Sequence, residues 1–120
     1  MSIILYGIPN CDTIKKARKW LESHGINHVF HDFREQGLTP QMVAGWSEQV
    51  GWEVLMNRRS TTWRQLDDAD RADLNAETAM ALMLRQPTLI KRPVLAHHGT
   101  ITVGFNPASY EALFRDAKPG

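Results

Sequence analysis

The chain has 120 residues, 42% of them hydrophobic, enough to bury one core but not two, so a single domain over 1–120 is expected. With 14 Lys and Arg against 13 Asp and Glu, the formal net charge of +1 excludes a whole-protein field favouring nucleic acid or an anionic membrane, and any electrostatic role is local. Cys11 is the only cysteine, which excludes an internal disulfide, a thiolate metal cluster and an internal CxxC couple.

Residues 3 to 7 (Ile-Ile-Leu-Tyr-Gly) form an apolar, β-branched run ended by Gly7, Pro9 and Asn10, which predicts a buried strand entering a turn. No basic residue precedes the run, so the plan of a secretory signal is missing and a cytoplasmic protein is expected. From Asp12 the period changes. Ile14, Ala17 and Leu21 share one face, Lys15, Lys16, Arg18, Lys19 and Glu22 lie elsewhere, and Gly25 stops an amphipathic helix whose first turn follows Cys11. Asn27 to Phe33 alternates as a half-buried strand, completing a β-α-β unit expected to be right-handed and parallel. Thr39-Pro40 starts a second helix with a hydroxyl cap and a proline at the first helical position; Met42, Val43, Trp46 and Val50 supply its apolar face before Gly51.

Val54 to Trp63 is basic, hydroxyl-rich and the least regular stretch, with a short helix expected at 61–66. Asp67 to Asp73 reads as a solvated turn holding one helical turn. Asn75 caps a helix from Ala76 to Arg85 that ends at Gln86-Pro87. Its apolar run, about Ala79 to Leu84, is the longest in the chain and far short of the ~18 residues of a membrane helix. Pro93 to Ala96 and Ile101 to Gly104 flank His97-His98-Gly99-Thr100 as an antiparallel hairpin. Asn106-Pro107 starts a last helix carrying Tyr110, Leu113 and Phe114. The order β-α-β, then helices, then β-β-α predicts an α/β thioredoxin-like fold with a mixed sheet and a helical subdomain inserted at about 38–88.

A thiol at the N-terminus of a helix meets unpaired backbone N–H groups and the positive end of the helix dipole, so Cys11 should ionise below the ~8.5 of a free cysteine. A lone cysteine is more often a small buried apolar residue; the strand-turn-helix junction after Gly-Ile-Pro-Asn instead puts this one at a surface turn and favours a nucleophile. Arg92, before Pro93, faces the Cys11 loop if the two halves of the sheet pair; from these residues alone a surface arginine ahead of a trans proline stays open, as does the isomer of the bond. Arg58, Arg59, Arg64, Lys15 and Lys19 offer charge for an anionic substrate or simply a solvated surface. His97 and His98 are expected in turn or surface roles, since no partner ligands have metal spacing, and no metal site is expected. Trp63 reads as packing of the short helix, and Gly7 and Gly104 as turn or close-approach positions, no phosphate-loop pattern being present.

Tyr6-Gly-Ile-Pro-Asn-Cys-Asp-Thr-Ile-Lys-Lys-Ala-Arg-Lys-Trp-Leu21 and Leu89-Ile-Lys-Arg-Pro-Val94, about 80 residues apart, resemble the arsenate reductase and Spx-type family of thioredoxin-fold proteins, above all its single-cysteine bacterial branch. The resemblance implies a nucleophilic Cys11, Arg92 beside it and a cis peptide bond at Pro93, with Asn10, Asp12, Thr13, Lys15, Arg59 and Pro93 as substrate-binding positions. Glutathione-coupled arsenate reductases of this type carry two further arginines, one before the short helix and one after the hairpin. Here the first position is Asn57, with Arg58 and Arg59 displaced, and Val103 to Pro107 holds no arginine. The CxxC switch of Spx-type regulators is missing, since Ile14 stands three positions after Cys11.

The expected activity is that of a glutathione-dependent thiol oxidoreductase, in which Cys11 forms a mixed disulfide and glutathione, a co-substrate rather than a bound cofactor, resolves it. Two alternatives stand beside it. One is a glutathione- and glutaredoxin-coupled arsenate reductase. The other is a non-enzymatic Spx-like module that docks on the transcription machinery through the basic Arg58–Arg64 segment. A monomer is expected, with no membrane or nucleic-acid partner.

Overall fold

The computed structural model describes residues 3–9 and 11–115. In chain order it runs β1 (Ile4–Gly7), α1 (Asp12–Ser23), β2 (Val29–Asp32), α2 (Phe33–Gln36), α3 (Pro40–Val50), α4 (Trp52–Leu55), α5 (Thr61–Gln65), α6 (Asp68–Arg71) and α7 (Ala76–Arg85). A single 3-10 turn (Pro87–Leu89), β3 (Val94–His97), β4 (Thr100–Val103) and α8 (Pro107–Arg115) complete it. The strands form one mixed sheet in the order β2-β1-β3-β4, with β1 parallel to β2 and antiparallel to β3, and β3 antiparallel to β4. This is the thioredoxin-like plan, with the helices from α3 to α7 standing between its two halves.

The period-two alternation of the central strands decides what each side of the sheet covers. Leu5 of β1 and its register partner Leu95 of β3 pack with Ala17 and Leu21 of α1 and with Tyr110 and Phe114 of α8. Val94, one residue on, faces the opposite core with Val43 and Trp46 of α3, Leu55, Leu82 and Met83. Gly7 lets α1 lie close on the strand it follows, because a Cβ there would overlap the Ile14 side chain.

Caps set several boundaries. Thr39 accepts a hydrogen bond from Met42 N at 3.2 Å, and Asn75 and Thr78 cap each other's backbone across the start of α7. The strand expected to reach Phe33 stops at Asp32, whose carboxylate oxygen accepts from Arg34 N at 2.9 Å and opens α2 instead. The hairpin is also tighter than expected. His98 (φ 50°) and Gly99 (φ 80°) alone form the turn, and β3 runs on to His97.

That shift moves His97 out of the turn or surface role expected for it. Period two puts it on the Leu95 side, where it is 9% exposed and meets the Phe114 ring edge-on, the centroids 4.7 Å apart. His98 remains exposed on the turn.

Candidate active site around Cys11

Antiparallel pairing of β1 with β3 brings together two segments far apart in the chain. Tyr6, near the end of β1, is in register with Val94 at the start of β3, so the loop after β1 and the residues before Val94 meet at one end of the two central strands. Cys11 lies in that loop and Arg92 in that approach.

Cys11 is the N-cap of α1. Its backbone is extended (φ −104°, ψ 126°) and its carbonyl accepts the first helical hydrogen bond, from Lys15 N at 3.0 Å. An N-cap side chain is placed to receive the N–H groups two and three positions on, here Thr13 and Ile14. The half-buried thiol makes no side-chain capping bond. Burial is the strongest single influence on it and pushes its pKa up. The Ile14 N–H, a hydrogen bond from the Arg92 side chain, the Thr13 N–H and the Arg92 charge act in the opposite direction and together prevail, holding the thiol below its ordinary range.

Arg92 reaches the sulfur from a braced segment. Asn57 N donates to Leu89 O and Lys91 N to Leu55 O, both at 2.7 Å, around an antiparallel bridge between Met56 and Ile90. The guanidinium Nη1 donates to the Thr88 carbonyl at 3.2 Å, while the buried Nε has no acceptor among the described residues. The Arg92–Pro93 peptide bond is cis, Pro93 is fully buried, and its carbonyl accepts from Gly104 N at 2.8 Å. Gly104 has φ 85°, a turn conformation that costs glycine little.

Cys11, Thr13 through its backbone, Arg92 and the adjoining Pro93 therefore converge. Asp12 and Lys15 lie exposed on the first turn of α1. Arg59 is exposed, its N–H tied to Asn57 Oδ1 at 3.0 Å, and is held by the Asn57 turn rather than by the Cys11 loop. Asn10 lies outside the described residues. Arg58 packs its guanidinium near two indoles, 5.6 Å from the Trp52 ring centre and 5.8 Å from that of Trp63. Among the described residues none of Lys15, Lys19, Arg58, Arg59 and Arg64 enters an ion pair. Among the described residues no group of three or more His, Cys, Asp or Glu side chains converges as a metal site requires.

Two contributors escaped the sequence reading. The Ile14 N–H was legible from the spacing of an N-cap to its third helical residue, although the sequence marks Ile14 itself as an apolar side chain and as the place of a missing second cysteine. The Thr88 carbonyl had no local signal, because what frees it is the pairing of Lys91 with Leu55, 36 positions earlier.

The ArsC family model matches residues 6–113. A protein of Haemophilus influenzae is 47% identical over 112 residues, covering 93% of this chain and 98% of that protein. The solved structure of the YFFB (PA3664) protein is 46% identical and superposes with a TM-score of 0.90, covering 92% of this chain and 97% of that one. The arsenate reductase (ArsC) related protein from Brucella melitensis is 50% identical with a TM-score of 0.78, covering 96% of each chain.

Proposed function

Since the chain belongs to the ArsC family, with a thiol as its central group, we propose that it is a glutathione-dependent thiol oxidoreductase acting through Cys11. The observation that carries this reading is the convergence of the N-cap sulfur of α1 with the Arg92 guanidinium, which favours the thiolate. In the first step the Cys11 thiolate attacks the glutathione sulfur of a mixed disulfide; a Cys11–glutathione disulfide forms and the substrate leaves as its thiolate. With no second cysteine in the chain, the thiolate of a second glutathione attacks that disulfide, releasing oxidised glutathione and restoring the Cys11 thiolate. Net, the mixed disulfide and one glutathione thiol become the substrate thiol and oxidised glutathione: the substrate sulfur gains one electron and the sulfur of the second glutathione loses one. Arg92 holds the anionic sulfur and an acidic group of the incoming molecule.

Two measurements test this reading. Alkylation of Cys11 against pH should give a midpoint clearly below ~8.5, and oxidised glutathione should add one glutathione to Cys11, seen by mass spectrometry and absent in Cys11→Ser. A midpoint at or above that value with no adduct overturns the proposal.

One observation favours a second reading, arsenate reduction: the buried Arg92 Nε has no acceptor beside the nucleophile, a donor available to an oxyanion. Arsenate and two thiols would give arsenite, water and a disulfide. Turnover with arsenate, glutathione and glutaredoxin no faster than that of Cys11→Ser removes it.

A further inference from the structure

The Thr88 carbonyl that holds Arg92 belongs to the 3-10 turn Pro87–Leu89. The turn is closed by Leu89 N on Gln86 O at 2.9 Å and Ile90 N on Pro87 O at 3.0 Å. One more residue of the same geometry would bond Lys91 N to the Thr88 carbonyl. Lys91 N is instead taken by Leu55 O, so the carbonyl is left for Nη1 of Arg92. Arginine is a long, freely rotating side chain. With Nε unpartnered among the described residues, this contact is the one hydrogen bond to a protein oxygen that they give the guanidinium.

The turn is also held sideways. Thr88 Oγ1 lies 2.6 Å from Oγ1 of Thr62, a half-buried residue 26 positions earlier in α5. Helix α5 is itself fixed at its start, where Ser60 Oγ accepts from Trp63 N at 3.1 Å. A short hydroxyl pair between two part-buried threonines thus joins the inserted helices to the carbonyl that orients the guanidinium.

We propose that Thr62 is a positioning residue for Arg92, acting through the Thr88 hydroxyl and carbonyl. This rests on the reading of Cys11 and Arg92 as the reactive pair and adds the element that aims the arginine. Thr62 touches no reacting atom, so its effect appears in how strongly Arg92 favours the Cys11 anion.

The experiment is a mutant cycle read by Cys11 alkylation with iodoacetamide against pH. Arg92→Gln should raise the midpoint by about one unit. Thr62→Val, of the same shape without the hydroxyl, should raise it by about half a unit, roughly threefold less thiolate below the midpoint. Thr88→Val breaks the same bond from the other side and should match Thr62→Val, while Thr62→Ser restores the midpoint. In the Arg92→Gln background, Thr62→Val should add nothing, which a merely structural role would not predict. If Arg92→Gln shifts the midpoint and the threonine variants do not, or shift it equally with Arg92 gone, the positioning role is overturned and the reading of the site survives. If Arg92→Gln itself leaves the midpoint unchanged, both fail.

Discussion

Cys11 occupies a helix position usually given to Ser, Thr, Asp or Asn; its sulfur makes no capping bond, yet the Ile14 and Thr13 N–H groups that a capping oxygen would use still lower its pKa. Its N-cap place was legible in the chain, because a change of period from strand to helix can be read locally and the cysteine stands at the change. Histidine 97 was not legible in this way, since a one-residue difference in turn placement decides whether a strand-end side chain is solvated or buried. Its two ring nitrogens are buried without partners among the described residues, and burial first, then the charge of His98, lowers its pKa. In the unfolded chain it regains the ordinary value near ~6.5 and binds a proton that the folded state resists. Stability associated with His97 is therefore full above that value and lost as pH falls below it toward the folded pKa. Thermal melts from pH 7.5 to 5 should show a falling Tm whose slope is shallower in His97→Leu. An unchanged slope would remove His97 as a source of acid sensitivity. Tyr110 is fully buried with a hydroxyl that has no partner among the described residues, and burial pushes its pKa far up. Removing that hydroxyl relieves a desolvation cost of about 1–3 kcal/mol, so Tyr110→Phe should melt no lower than the parent chain and is expected to melt higher.

Helices begin where the sequence writes a cap, and those elements were the most readable. Thr39-Pro40 and Asn75 open α3 and α7 as their residue types predict. Asn75→Ala removes the reciprocal pair with Thr78 and should cost about 1 kcal/mol, a Tm drop of roughly 4 °C; a loss below a few tenths of a kcal/mol would mean the cap adds little to the packing of Leu82 and Met83. The one-turn helices α2 and α4 were less readable, having too few residues to show a period. At Gly7 the demand is steric. Gly7→Ala pushes a methyl into Ile14 and should destabilise the fold by about 1–3 kcal/mol, whereas the same change at solvent-facing Gly45, where nothing lies within 4 Å, should not. Denaturant midpoints of the two variants compare them directly.

The whole molecule depends on contacts between distant segments, among them one that closes the sheet. β4 is an edge strand, and Gln49 of α3 occupies its open side: its side-chain nitrogen donates to Gly99 O and its oxygen accepts from Ile101 N, both at 2.9 Å. The amide side chain thus takes the place of a neighbouring strand and covers an edge otherwise free to pair with another chain. Gln49→Ala should speed hydrogen exchange at the Ile101 amide at least about tenfold, corresponding to loss of a bond worth ~1.4 kcal/mol to the closed state; unchanged protection would assign that amide to another partner. By itself the sequence determined the order of the strands and longer helices, the caps and the N-cap place of Cys11, because propensity, period and capping act over a few residues. Only the tertiary structure decided that Arg92 meets Cys11, that Thr62 reaches Thr88 and that His97 is buried. Those facts follow from strand register and from the Leu55–Lys91 pairing, interactions between residues whose separation along the chain leaves no local trace.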